Sequence, residues 1–73
     1  MVYRRIRDLR TDHDLSQKQL ADYLGMSQTG YSKYETGEND IPTAVLIKMA
    51  QIHDTSVDYL LGLTKERKPY PRG

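Results

Sequence analysis

Four side chains within six positions, Gln28, Thr29, Ser32 and Lys33, are polar, short or medium in length and rich in hydrogen-bond donors. Their spacing puts them along one side of a helix. Gln can bond adenine N6 and N7 together, Thr can combine a hydroxyl contact with the thymine methyl, and Lys reaches guanine O6/N7 or a phosphate. The chemistry on offer is therefore base-edge recognition. Gly30 lies among them, where a helix-interior glycine costs about 1 kcal/mol relative to alanine. A tolerated surface glycine is the default reading, and close backbone approach to a groove wall is the alternative. Rival chemistries find little support. The chain has no Ser/His/Asp set at workable spacing, no phosphate-cradling glycine loop and no pocket of clustered carboxylates, so an enzyme is not expected. His13 and His53 read as lone helix-end histidines, and no metal, cofactor or small-molecule ligand is expected.

These side chains need a frame, and the sequence predicts an all-α one. Apolar residues recur at helical spacing, and no stretch alternates cleanly at period two. A first helix fits Tyr3 to about His13, with Val2, Ile6, Leu9 and later Leu15 inward. Ser16-Gln17-Lys18-Gln19 has the form of a capping box. The helix it starts carries Leu20, Ala21 and Leu24 and ends at Gly25, a residue at ease with positive φ. Ser27 caps a third helix from Gln28 to about Thr36, closed by Gly37. Pro42 suits the first turn of a fourth helix with Val45, Leu46, Met49 and Ala50 buried, and Ile52 or His53 continuing the stripe. Ser56 caps a short fifth helix through Val57, Tyr59, Leu60 and Leu61, ending at Gly62. Ala21 is the small residue needed where the second and third helices cross. Tyr31 and Tyr34 dock the third helix, Tyr34 having a phosphate contact as its alternative role.

The run Leu15-Ser16-Gln17, Leu20-Ala21, Leu24-Gly25-Met26-Ser27-Gln28 and Tyr31-Ser32-Lys33-Tyr34-Glu35-Thr36-Gly37 resembles the Cro/phage-repressor helix-turn-helix family, also called the xenobiotic-response-element type. The similarity extends from residue 3 to about 63. It implies a compact five-helix bundle of the lambda-repressor-like type, with helices 2 and 3 as the helix-turn-helix. It further implies that Gln28, Thr29, Ser32 and Lys33 contact base edges in the major groove of a double-stranded operator. Phosphate contacts would fall to Gln17, Ser27, Tyr34, Thr36 and Asn39, with the amides of the Thr36–Asn39 loop holding the DNA backbone. Arg10 and Glu35 match a buried ion pair between the first and third helices. The chain departs from the family at Glu38 and Asp40, where many members carry Lys or Arg.

Composition narrows the setting. The 73 residues suffice for one domain, read as 1–63, followed by a basic and disordered tail at 64–73. Without cysteine there is no disulfide framework and no thiolate metal site. No run of roughly 18 apolar residues occurs, and the basic start leads into an amphipathic helix pattern, so a cytoplasmic protein with no membrane partner is expected. Net charge is only +1: residues 1–63 hold seven Lys/Arg against nine Asp/Glu, and the tail holds four against one. Any DNA binding must come from charge placed on one face. Arg4, Arg5 and Arg7 read as a solvated helix face, and the tail as a solubilising end, each with DNA contact as the alternative. Tyr59, Leu60, Leu61 and Leu63 exceed what so short a helix needs for a core and form a candidate homodimer seam. The leading expectation is a sequence-specific transcriptional repressor. The alternative is a protein-interaction module of the same fold, antitoxin-like or regulator-sequestering.

Overall fold

Each helix begins and ends where local chemistry dictates. The computed structural model describes residues 2–69, and the helices within that range are α1 (Arg4–Asp12), α2 (Gln17–Leu24), α3 (Gln28–Thr36), α4 (Thr43–Ile52) and α5 (Val57–Leu60). No strand occurs among the described residues. At the start of α2 the reciprocal capping box is complete. Ser16 Oγ accepts the Gln19 amide at 3.0 Å and Gln19 Oε1 accepts the Ser16 amide at 2.8 Å. Ser27 and Ser56 cap α3 and α5 in the same way, accepting from the Gly30 and Tyr59 amides. Pro42 is the N-cap of α4, one position before the helical turn expected for it, because its ψ of 148° is extended.

Helix α2 ends at Gly25 with φ 70°, while the Met26 amide closes back on the Ala21 carbonyl at 3.0 Å. Helices α1 and α4 end in matching fashion. His13 and His53 are their C-caps, and each is followed by an aspartate in the left-handed region, Asp14 at φ 55° and Asp54 at φ 51°. Six-residue closures from Leu15 to Arg10 and from Thr55 to Ala50 complete both endings. Identical His-Asp dipeptides thus terminate two helices forty residues apart.

Packing follows from these ends. Helix α2 lies chiefly on α3 and α4 on α5, while α1 touches both α3 and α5. The core comprises Ile6 and Leu9 of α1, Leu20, Ala21 and Leu24 of α2, Tyr31 and Tyr34 of α3, Leu46, Met49 and Ala50 of α4, Ile41, and Leu60. Ala21 has no exposed surface, so its missing bulk is what lets the neighbouring helix come close. Val2, expected inside, is exposed because it precedes the helix and escapes its inward stripe.

The segment expected as a disordered tail is described over residues 64–69. It lacks helix and strand, yet it is fastened to the body. Arg5 donates to the carbonyls of Tyr59, at 2.9 Å, and Thr64. The buried Thr55 hydroxyl donates to the Arg67 carbonyl at 2.6 Å, and Arg67 pairs with Asp12 at 3.5 Å. A buried hydroxyl and a guanidinium both need acceptors, and the backbone of 64–67 supplies them. The expectation for 70–73 lies outside the described residues.

Candidate nucleic-acid interface

Helix α3 has two unlike sides. Tyr31 and Tyr34 point into the core and meet edge to face, with ring centroids 6.4 Å apart at 85°. The opposite side carries Gln28 and Thr29, exposed, and Ser32 and Lys33, half-buried. With Gln17 from α2 and Glu38 from the loop after α3, these four line one shallow, polar concavity. Glu38 was not among the residues expected at this face. Gly30, by contrast, faces the turn: a Cβ there would come within 3.1 Å of the Met26 methyl and 3.2 Å of Ser27 Oγ. Close packing against the turn is a further reason for a glycine here, since a Cβ would require either side chain to give by a few tenths of an ångström.

Gln17 is held in place. Its Nε2 donates to Glu35 Oε1 at 3.1 Å. Glu35 in turn receives Arg10 Nε on Oε2 at 2.6 Å and Arg10 Nη2 on Oε1 at 3.0 Å, a bidentate fork. The third guanidinium nitrogen of Arg10 donates to the Leu15 carbonyl at 2.9 Å. The two charged side chains are only 12% and 5% exposed, so the pair is largely shielded from water, with each guanidinium nitrogen making a hydrogen bond. Burial alone pushes the Glu35 carboxyl up, but Arg10 first, then the polar Tyr31 hydroxyl and Gln17 amide beside it, outweigh burial and hold the carboxyl below its ordinary value. The Tyr31 hydroxyl lies buried close to the same carboxylate, outside hydrogen-bond geometry. Its burial, with the carboxylate beside it, pushes its pKa up.

The residues expected at phosphates divide. Ser27 Oγ is occupied as the cap of α3, although its hydroxyl proton remains to donate. Tyr34 is 9% exposed and its ring belongs to the core. The Thr36 hydroxyl donates to the Lys33 carbonyl at 3.2 Å and accepts the Glu38 amide at 3.4 Å. The Gly37 amide goes to the Tyr34 carbonyl and the Asn39 amide to the Lys33 carbonyl, at 3.3 and 3.1 Å. Loop amides expected to hold DNA are therefore engaged within the protein at 37, 38 and 39. What the loop presents outward is side chains.

The candidate seam also changes. Leu60 is 1% exposed and belongs to the core, because α5 turns it inward against α1 and α4. Tyr59 and Leu61 are half-buried, and the Arg5 guanidinium sits 4.1 Å from the centre of the Tyr59 ring. Of the four residues, Leu63 alone is largely exposed, at 73%.

A feature that was not expected joins the two histidines. His13 Nδ1 and His53 Nδ1 are 3.1 Å apart and share a hydrogen bond, with ring centroids 5.1 Å apart. His53 is 3% exposed, and its Nε2 has no hydrogen-bond partner among the described residues. Burial first, then the neighbouring His13 and Arg67, push its pKa down to about 4. The repeated His-Asp at two helix ends was the available signal. Among the described residues no group of three or more His, Cys, Asp or Glu could hold a metal ion, and no helix is long and apolar enough to cross a membrane.

Comparison with known proteins agrees with this geometry. A family model described as helix-turn-helix matches residues 6–60. The uncharacterized HTH-type transcriptional regulator YobD of Bacillus subtilis (strain 168) is 39% identical over 69 residues, covering 94% of this chain and 62% of that protein. The cryptic phage CTXphi transcriptional repressor RstR of Vibrio cholerae is 39% identical over 62 residues, covering 84% of this chain and 54% of its own. Antitoxin PezA of Streptococcus pneumoniae is 30% identical over 69 residues, 94% of this chain and 44% of its own. The chain thus spans between two fifths and two thirds of these relatives' lengths. With 55 consecutive residues matched and the two capped helices joined at Gly25, the chain belongs to the helix-turn-helix family.

Proposed function

We propose that this domain reads double-stranded DNA for a transcriptional regulator, a repressor acting in the cytoplasm. The observation that carries the reading is the two-sided α3, with both tyrosines buried and Gln28, Thr29, Ser32 and Lys33 left outside. Those four side chains would meet base edges in the major groove. Gln17, Ser27, Thr36 and the side chain of Asn39 would meet phosphates, which position the protein without carrying sequence information. A homodimer on a pseudo-palindromic operator would place its half-sites about one helical turn, ~34 Å, apart. Its seam would use Leu63 and the outer edges of Tyr59 and Leu61. Relatives named as HTH-type regulators and as a phage repressor support this reading.

The test is selection from random duplexes followed by binding measurements on the enriched site. Gln28→Ala and Lys33→Ala should each weaken binding to that site by ~1–3 kcal/mol, with little change in melting temperature. Operator binding that survives both changes refutes the assignment of α3 as the reading helix. The second reading, a protein-interaction module, draws on Glu38 beside the concavity and on the antitoxin relative. The two readings separate by salt. A DNA binder neutralising Z phosphates loses affinity with a log–log slope near −0.9Z, and a protein binder shows no such dependence on duplex.

A further inference from the structure

Resting on the DNA-reading proposal above, we infer that Glu35 is a positioning residue for DNA contact, acting through Gln17. The buried pair of Arg10 and Glu35 would serve as structure alone if its atoms ended in the core, but they do not. Glu35 Oε1 accepts Arg10 Nη2 and the Gln17 amide nitrogen together, at 3.0 and 3.1 Å. Gln17 is half-buried at the rim of the concavity that also holds Gln28, Ser32 and Lys33. The chain of contacts runs from the Leu15 carbonyl through Arg10 and Glu35 to the amide of a side chain at the proposed interface.

The chemistry of the amide explains why this matters. A glutamine side chain has several soft torsions and, when free on a surface, loses rotamer freedom on binding. Its NH₂ carries two hydrogens. Donating one to a fixed, buried carboxylate holds the amide plane, so that the second hydrogen keeps one direction before any ligand arrives. A phosphate oxygen met by that hydrogen then need not order the side chain. A carboxylate suits the purpose because it is ionised throughout the working range, Arg10 and Gln17 keeping its pKa low. Neutralising Gln17 as a contact and untethering it should therefore cost the same affinity, once and not twice.

The experiment is a double-mutant cycle on the full chain, with fluorescently labelled duplex as the probe. The obvious variant, Glu35→Gln, leaves Arg10 buried without its counter-charge and can unfold the domain. The untethered arm is therefore Arg10→Met with Glu35→Leu, an apolar replacement of the whole pair that buried sites commonly tolerate. Melting curves confirm that each variant is folded at the assay temperature. Gln17→Ala should lower affinity about tenfold, the value of one hydrogen bond to a charged group. The Met/Leu pair should lose a similar factor, and adding Gln17→Ala to it should lose little more. The loss should be uniform across duplex sequences, as for a backbone contact, and the salt slope should be unchanged because Gln17 is neutral. Wild-type affinity in the Met/Leu pair, or a full tenfold cost of Gln17→Ala in that background, overturns the inference. So does a salt slope shallower by about 0.9, which would make Arg10 itself the phosphate contact. If the unmodified chain binds no duplex at all, the DNA-reading proposal falls and takes this inference with it.

Discussion

Lowering the pH from 7.5 to 5 should unfold this domain more readily, and His53 supplies the reason. In the folded chain its imidazole is 3% exposed, faces His13 at 3.1 Å and has no partner for Nε2 among the described residues. Its pKa is lowered from 6.5 to about 4. The unfolded chain takes up a proton at the ordinary value and the folded chain does not, so unfolding is favoured as pH falls. The stability is complete above about 6.5, lost progressively between 6.5 and 4, and no longer lost to this group below 4, where both states are protonated. At about 1.4 kcal/mol for each pH unit between the two values, the whole window holds about 3.5 kcal/mol, of which about 2 kcal/mol is lost by pH 5. A domain of this length holds roughly 4–10 kcal/mol in all, so the fraction at stake is large. The assay is the urea midpoint at half-unit steps from pH 8 to 5, a range above the ordinary carboxylate value in which Glu35 contributes little. His53→Gln removes the titrating group and should flatten the curve over that range, whatever it does to stability at pH 8. A midpoint that stays level in the unmodified chain, or an NMR titration of His53 centred near 6.5, would refute the reasoning.

Three substitutions test two helix ends and the helix crossing. A Cβ on Gly25 meets nothing within 4 Å, so Gly25→Ala should cost only what φ 70° demands of an L-residue, about 1–2 kcal/mol. Asp54→Gly, at φ 51°, should shift stability the other way by up to about 1 kcal/mol, both read from chemical denaturation. Ala21→Leu forces a larger side chain into a position with no exposed surface and should destabilise by about 1–3 kcal/mol; a neutral melting temperature would show that α2 and α3 do not cross there as tightly as drawn.

The parts of the fold fixed by neighbours in sequence were legible, and the parts fixed by distant residues were not. The bounds of α3 follow from Ser27 and Gly37, each acting over three or four residues, and the capping box at Ser16 is local in the same sense. The polar side of α3 follows from helical spacing alone. The His13–His53 contact joins residues forty apart, and no periodicity announces which helix ends will meet. Leu60 joined the candidate seam on sequence although it is buried in the fold, because a four-residue helix is too short for period to assign a face. The partners of the loop amides at 37, 38 and 39 could not be read from the sequence, because backbone hydrogen bonds depend on dihedral angles rather than on residue type. Glu38 could be seen as a charge in the loop, but its place beside Lys33 depends on how that loop turns.

That turning has a thermodynamic corollary. With its Gly37, Glu38 and Asn39 amides closed onto Tyr34, Thr36 and Lys33, the segment after α3 is a finished wall and not a strand waiting to be shaped. A ligand docking against it has one outline to fit, and the ordering of those residues has already been given up on folding. Recognition at this edge should therefore resemble the meeting of two rigid bodies, quick to form and unforgiving of a mismatched partner.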